Sequence, residues 1–466
     1  MTSLPEAGAV PPSDIADQLR EAFSTQLTRP LAWRRQQLAQ LVRLLRQEAP
    51  ALTQAMAADL GKPETEAWLT DVAGVRRDIE GIIRHLATWS APRPVPVPWT
   101  LQPGRAQVVP EPLGVVLVIA PWNYPVRCSV LPVAFAIAAG NAVALKPSEL
   151  APATSAALAR LLPGYLGPEA LAVVEGGPEV AQELLRSRWD HIFFTGSNRV
   201  GRLVMAAAAR HATPVTLELG GKNPAIVERS ADIASAARRV AWGKFLNAGQ
   251  TCVAPDYVLA DRRVQQQFLS EVTKQVARFY GPAPQASADF GRIVNDAHMR
   301  RLADLLERTK ADIVAGGSSD PANRYLAPTI LANVAWDDPV MAEEIFGPIL
   351  PVLAYDHLDE ALSQVNDRDK PLALYLYTRD QAVAERVVAA TSSGSVCVNH
   401  NAVQLGVPGL PFGGVGQSGM GRYHGRAGFD TFSNPKSVLR RPARWEVPLV
   451  YPPYSHAKRW LLRRVV

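Results

Sequence analysis

Val115-Val116-Leu117-Val118-Ile119-Ala120-Pro121-Trp122-Asn123-Tyr124-Pro125 is the stretch on which the fold turns. Its apolar half is unbroken, and an apolar run with no polar alternation marks a strand buried on both faces, as in a parallel sheet covered by helices. Its second half is a proline-bounded turn. The pattern recurs downstream: Asn141 to Leu145 leads into Lys146-Pro147-Ser148-Glu149, and His191 to Thr195 leads into Gly196-Ser197. Between the first two runs lies the longest apolar stretch, Cys128 to Leu145, which Gly140-Asn141 interrupts before it could span a bilayer. It reads as a buried helix followed by a strand. From Val115 to Val227 strands and helices alternate with Gly and Pro breaks, the signature of a doubly wound parallel sheet. From Pro255 to about Ser433 the alternation repeats and predicts a second α/β domain. Upstream, Leu38, Leu41, Val42 and Leu45 recur at helical spacing, so the first ninety residues read as mainly helical. Pro92, Pro94, Pro96 and Pro98 then predict a stiff extended connector, and Gln102 to Glu111 alternates like an exposed strand.

A chain of 466 residues at 47% hydrophobic composition is long enough for two or three substructures with sizeable cores. Three cysteines, an odd number, argue against a disulfide framework and for a reducing, cytoplasmic compartment. The start, Met1 to Ser13, is rich in proline and alanine and lacks the apolar segment of a signal peptide. Charge is uneven: from Lys436 onward eight basic residues face Glu446 alone, a surplus of +7, while the whole chain carries +6. The body is therefore near −1 and has no nucleic-acid footprint. The last run, Lys458 to Val466, is basic and amphipathic. It reads as a solvated or partner-packed tail, with peripheral contact to an anionic membrane as the second reading.

Of the three thiols, Cys128 and Cys397 lie beside apolar strand-like runs. Cys252 sits in Asn247-Ala248-Gly249-Gln250-Thr251-Cys252-Val253-Ala254-Pro255, a polar, glycine-containing loop just before the strand-like Tyr257 to Ala260. A thiol on a loop at a strand entrance can meet a substrate. It belongs to an ordered series: Pro121 to Pro125, Lys146 to Glu149, Phe194-Thr195-Gly196-Ser197 with Gly201, Leu217-Glu218-Leu219-Gly220-Gly221-Lys222, Cys252, Glu343-Glu344-Ile345-Phe346-Gly347-Pro348, and Pro411-Phe412-Gly413-Gly414-Val415-Gly416.

In order, spacing and wording this series resembles the aldehyde dehydrogenase superfamily, from about Leu38 to Val450. The resemblance is closest to its class 3 branch, through Gln250 to Tyr257, Gly419-Met420-Gly421-Arg422-Tyr423-His424-Gly425 and Tyr451-Pro452-Pro453-Tyr454. It implies a cofactor-binding domain of residues 1–98 and 113–217, a catalytic domain of 218–433, an oligomerisation arm of 99–112 and 434–448, and a basic tail of 449–466. It implies a homo-oligomer, with a dimer favoured, joined through the arm. It also implies oxidation of a medium-chain aliphatic or aromatic aldehyde to its acid, with NAD as cofactor and NADP use left open.

The chemistry suits the residues. An aldehyde expels hydride only after a nucleophile has made it a tetrahedral alkoxide, and a thiolate supplies that adduct and leaves a thioester to be hydrolysed. An unperturbed thiol is only a few per cent ionised at neutral pH, and no histidine stands near Cys252 in sequence. By resemblance Glu218 is the base for thiol or water, and the Asn123 amide joins the Cys252 N–H as oxyanion donor; the competing reading of Asn123 is a helix cap. No Gly-x-Gly-x-x-Gly occurs at the expected place. The resemblance instead puts the pyrophosphate at Gly196, Ser197 and Gly201, where a glycine turn opens a helix. It puts the adenine ribose at Lys146 and Glu149, the nicotinamide side at Glu344 and Phe346, and Trp122 beside the cleft. Glu149 favours a free 2′-hydroxyl, and Lys146 partly offsets that preference.

Asn399-His400-Asn401 and Gln404 depart from the pattern of many relatives, which puts the local hydrogen-bond network in doubt. His400 lacks a second ligand at metal spacing. Ser197 and Ser418 lack a nucleophile elbow, and Gly220-Gly221-Lys222 lacks P-loop spacing. Two rival functions remain at this stage: release of the acyl group to coenzyme A, and a non-catalytic structural descendant. The second needs none of Cys252, Glu218 and Asn123.

Overall fold

The computed structural model describes residues 11–169, 171–444 and 448–465. The reading of Met1 to Ser13 therefore lies mostly outside the described residues, as does the part of the arm and tail reading that falls on 445–447 and 466.

Three of the four sheets among the described residues organise the fold; the fourth is the short pair Ser319–Asp320 and Tyr325–Leu326. The first has six strands in the order Gly419–Met420, Val215–Leu219, His191–Gly196, Val115–Ile119, Ala142–Lys146 and Leu171–Val173. All its pairings are parallel except that of Gly419–Met420. The unbroken apolar run of Val115–Ile119 has a direct cause: Val116 and Val118 pack into one apolar cluster, whereas Val115, Leu117 and Ile119 pack into another on the opposite face. Each such side chain contributes roughly 1.5–3 kcal/mol by leaving water. A charge at Leu117 would find no solvated side to escape to. The buried helix expected after the turn is Pro125–Ala139, ended by Gly140 at φ 96, a left-handed position that suits glycine.

The second sheet has seven strands in the order Asp312–Ala315, Thr329–Ala332, Ile349–Tyr355, Tyr257–Asp261, Pro224–Val227, Ala373–Tyr377 and Ser395–Val398. It is parallel apart from its antiparallel first edge. The fold is thus α/β, with two mostly parallel sheets. The chain then returns: Met420 pairs with Leu217 and Gly419 with Glu218 on the first sheet, and helix Gly425–Thr431 packs on the helices of that unit.

The third sheet joins the two segments expected to form the arm. Arg105–Pro112 pairs along its whole length with Ser433–Arg440, antiparallel, from Arg105 opposite Arg440 to Pro112 opposite Ser433. The proline run is not a free connector. Arg93–Val95 forms the third strand, against Ala106 to Val108. Proline is tolerated there because the strand lies at a sheet edge, where a missing N–H costs little. Cys128 also departs from the expectation of a strand neighbour, since it lies in the helix Pro125–Ala139; Cys397 is in the edge strand Ser395–Val398. The basic run forms an exposed helix, His456–Val465. Among the described residues, no helix is long and apolar enough to cross a membrane.

Candidate active site

The motifs converge between the carboxyl ends of the first sheet and the amino ends of the second. Asn123 follows the strand Val115–Ile119, Lys146 ends Ala142–Lys146, Gly196 ends His191–Gly196, and Glu218 is next to last in Val215–Leu219. From the other side, Asn223 precedes Pro224–Val227, Cys252 precedes Tyr257–Asp261, and Phe346 precedes Ile349–Tyr355. The strand order of the first sheet reverses beside Val115–Ile119, the kind of switch point at which open α/β sheets bind ligands.

The nucleophile loop is unusually bent. Helix Ile233–Phe245 stops, and Asn247, Ala248 and Gly249 follow at φ 50, 52 and 77, three left-handed residues in succession. At Gly249 a Cβ would lie 2.2 Å from the Gly347 carbonyl, so only glycine fits. Ala248 has no such excuse, and its conformation costs roughly 1–2 kcal/mol. Side-chain amides hold the bend. Gln250 Nε2 donates to the Asn247 and Arg292 carbonyls at 3.0 and 2.9 Å, and its Oε1 accepts from the Val294 N–H at 2.9 Å. Asn247 Nδ2 donates to the Asn123 carbonyl at 2.8 Å. Asn223 Nδ2 donates to the carbonyl of Cys252 itself at 2.8 Å. The Tyr124 and Thr251 hydroxyls meet at 2.8 Å.

Asn123 is 4% exposed and does not cap the helix after it; the cap position is Tyr124, which makes no side-chain cap bond. Its Nδ2 donates to the Gln250 carbonyl at 3.0 Å. An amide nitrogen has two hydrogens, so one ties Asn123 to the nucleophile loop while the second is the one an oxyanion would use. Beneath it, the fully buried ammonium of Lys62 donates to Asp71 Oδ2 at 2.9 Å and to the Asn123 carbonyl at 3.2 Å, and sits 3.8 Å from the Tyr124 ring.

The electrostatics run against spontaneous ionisation. Burial pushes the Cys252 thiol well above its ordinary value, and the Cys128 thiol and the Glu344 and Glu218 carboxyls add to the effect. Cys128 is likewise raised by burial, to about 12. Glu218 is 3% exposed, neither of its carboxyl oxygens has a hydrogen-bond partner, and burial raises it well above the carboxylate range, with only the Arg422 charge opposing. Burial of this kind disfavours the ionised form, and a carboxylate that is formed there is a stronger base than an exposed glutamate.

The candidate cofactor residues line the same cleft. Ser197 caps the helix Asn198–Ala209, its hydroxyl accepting from the Val200 N–H, and Gly201 allows that helix to lie on Leu219, where a Cβ would come within 2.7 Å of it. The helix thus presents its positive end beside Gly196, a setting that fits a pyrophosphate. Lys146 Nζ and Glu149 Oε2 pair at 2.5 Å at the end of their strand. Glu344 lies against Gly220, where a Cβ would fall 1.9 Å from its Oε2; burial and the neighbouring Asp256 raise it to about 8. Phe346 holds φ 48, a strained value for an aromatic residue, with its ring at 5.4 Å from Trp122 in an edge contact. His298 stacks obliquely on the other side of Trp122 at 5.3 Å.

Comparison with known proteins agrees with this geometry. The aldehyde dehydrogenase family profile matches residues 1–438. The chain belongs to the aldehyde dehydrogenase family. This aldehyde dehydrogenase is 46% identical over 460 residues to mouse (Mus musculus) aldehyde dehydrogenase family 3 member B3, which covers 98% of the chain and 96% of the relative. It is 46% identical over 427 residues to the dimeric, NADP-preferring aldehyde dehydrogenase of Rattus norvegicus, covering 92% and 94%. A substrate-bound AldH of Staphylococcus aureus superposes with a TM-score of 0.94 at 41% identity, covering 97% of this chain and 99% of that one. The class 3 likeness read from the motifs is thereby confirmed, and the chain is an oxidoreductase.

Sequence reasoning named Cys252, Glu218 and Asn123 as candidates and missed the residues that brace them. Lys62, Asp71, Asn223 and His298 carried no motif of their own, and Tyr124 and Gln250, although inside quoted motifs, were given no role. Lys222 was weighed only as a failed P-loop, although its place after two glycines was a usable signal. The two departures from the family pattern are absorbed only in part: Asn401 Nδ2 donates to the Arg239 carbonyl and the Tyr377 hydroxyl at 2.7 and 2.9 Å, and Gln404 Nε2 reaches Ser395 Oγ at 3.3 Å, but Asn401 Oδ1 and Gln404 Oε1 are buried without a partner.

Proposed function

We propose that this aldehyde dehydrogenase oxidises a medium-chain aliphatic or aromatic aldehyde to its carboxylic acid through Cys252, Glu218 and Asn123, with NAD as cofactor and NADP also accepted. The observation that carries the reading is the pairing of a braced nucleophile loop with an unpartnered buried carboxyl: Cys252 held by Asn223 and its neighbours, and Glu218 with both oxygens free. Glu218 in its ionised form takes the thiol proton, and Cys252 Sγ bonds to the aldehyde carbon. The new alkoxide is received by the Cys252 N–H and the free hydrogen of the Asn123 amide. A bound oxidised nicotinamide would supply the hydride acceptor that the collapse of this adduct to the thioester requires. Glu218 releases the thiol proton to solvent and then takes a proton from water, whose oxygen attacks the thioester; the carbon–sulfur bond breaks, the acid leaves, and Glu218 returns that proton to the Cys252 thiolate.

Lys146 and Glu149 would hold the adenine ribose, Gly196, Ser197 and Gly201 the pyrophosphate, and Glu344, Phe346 and Trp122 the nicotinamide side. NADP use is supported by the name of the rat relative and by Lys146, whose ammonium lies beside Glu149 and offsets its charge. A homodimer is supported by that relative's description as dimeric and by the three-stranded sheet of the arm segments. The free thiols Cys128, Cys252 and Cys397 suit a reducing cytoplasm.

The test follows reduced-nicotinamide absorbance with hexanal or benzaldehyde and NAD or NADP, for the wild type and Cys252→Ala. Reduction without coenzyme A that disappears in the variant supports the reading. Reduction that persists in Cys252→Ala, or appears only when coenzyme A is added, overturns it.

A further inference from the structure

The connection between the two sheets carries two consecutive polar side chains that go opposite ways. Lys222 has three ammonium hydrogens and three acceptors: Asp256 Oδ2 at 2.6 Å, the Val340 carbonyl at 2.7 Å and the Glu343 carbonyl at 2.7 Å. Asp256 completes the clasp, because its Oδ1 accepts from the Ile345 N–H at 3.0 Å. Together they hold the segment 340–345 at both ends of the turn that delivers Glu344 and Phe346. The next residue, Asn223, uses both amide hydrogens on the nucleophile loop, at the Cys252 carbonyl (2.8 Å) and the Ala254 carbonyl (3.0 Å), while its Oδ1 accepts from the Ala373 N–H at 2.9 Å. The two halves meet at Asp256, whose own N–H donates to the Asn223 carbonyl at 2.8 Å. Gly220 and Gly221 bring this connection close: a side chain at the first would collide with Glu344, and one at the second with the backbone at Pro371 and Leu372.

We propose that Lys222 and Asn223 form a two-sided joint of positioning residues, Lys222 with Asp256 setting the cofactor segment and Asn223 setting the nucleophile loop, each largely independent of the other. This rests on the reading that Glu344 and Phe346 grip the dinucleotide. The charge arrangement sharpens it. Asp256 is 3% exposed, and its other cation, Lys244, stands off at 3.8 Å with no hydrogen-bond partner and a pKa lowered by burial to about 8. Lys222 is thus the cation in contact with Asp256, and removing it leaves a buried carboxylate and two carbonyls without their donor.

The test uses two readouts on the purified full chain: dissociation constants for NADH and NADPH by fluorescence titration, and the rate of Cys252 alkylation by iodoacetamide without cofactor. Lys222→Met is expected to weaken dinucleotide binding about tenfold, with alkylation changed less than about twofold; Asn223→Ala is expected to speed alkylation about tenfold as the loop loosens, with binding changed less than about twofold. Lys222→Arg, which keeps the charge, should retain most of the binding. Should Lys222→Met fail to give a cooperative melt, Asp256→Asn carries the same expectation. A shift of both readouts together in either variant, or of neither, overturns the joint. Glu344→Gln separates the two layers. If it weakens binding and Lys222→Met does not, the joint is wrong and the cofactor reading stands; if neither weakens binding, the cofactor reading falls and takes the joint with it.

Discussion

The loop of Cys252, proposed as nucleophile, and Glu218, proposed as general base, are built in opposite ways. Around Cys252 nearly every neighbouring amide is occupied: Gln250, Asn247, Asn223, Asn123 and the Tyr124–Thr251 pair all spend their hydrogen bonds on fixing the backbone. Around Glu218 there is nothing of the kind, and both of its oxygens are buried and unpaired. The nucleophile must hold one geometry through adduct and thioester, so its loop is over-determined enough to keep three left-handed residues in a row. The base must exchange protons with two different partners, so fixing it with hydrogen bonds would blunt its function. The enzyme rigidifies one and strains the other.

Four substitutions probe that contrast, in order of expected effect. Cys252→Ala should abolish nicotinamide reduction, read by absorbance, because no other thiol enters the braced loop; activity carried by Cys128 would break the comparison at once. Glu218→Gln should slow turnover by about 10²–10⁴-fold, with a stoichiometric burst of reduced cofactor kept whenever the thiol is ionised by raised pH. Since burial raises Glu218, its basic form is filled only as pH climbs. The wild-type rate should therefore rise with pH well past the ordinary carboxylate range, and the variant should lose that limb. Asn123→Ala should cost about 10²–10³-fold in kcat, the usual loss for one oxyanion donor, with the dissociation constant for NADH little changed.

The last two expectations concern stability. Gln250→Leu removes three hydrogen bonds from the loop and should destabilise the fold by about 1–3 kcal/mol, seen as a lower melting temperature, whereas Glu218→Gln should do the reverse. Glu218 keeps its proton in the folded chain after the unfolded chain has released it, so the folded state loses stability as pH rises above 4.5 toward the raised value. Up to about 1.4 kcal/mol per pH unit is at stake. Glu218→Gln should melt like the wild type near pH 4 and progressively higher than it from pH 5 upward. Equal melting curves at every pH would mean that the carboxyl is not strained.

The sequence exposed what local patterns encode. The unbroken Val115–Ile119 run announced a strand covered on both faces, and the structure shows alternate residues buried in two different cores. The reacting residues were legible because their chemistry demands particular side chains in a fixed order. The braces were not, because each joins segments far apart in the chain. Lys62 reaches Asn123, Asn223 reaches Cys252, and Gln250 reaches Val294, and a lysine or amide bound for such a contact looks in sequence like any surface residue. The same holds for the upward shift of Cys252, which depends on burial and on three distant neighbours. The proline run misled for a related reason: its partner strand, Arg105–Pro112, decides whether Arg93–Val95 is a spacer or an edge.

The return of the chain at Gly419–Met420 has a consequence in time. That short strand lies directly on Glu218, and Gly413 closes against one of its oxygens. The burial that makes Glu218 a strong base is thus supplied by residues synthesised near the end of the chain. At roughly 5–20 residues per second, the nucleophile loop leaves the ribosome on the order of ten seconds before its base is sealed. Until then Glu218 lacks the strand that buries it, and the raised carboxyl of the finished fold does not yet exist.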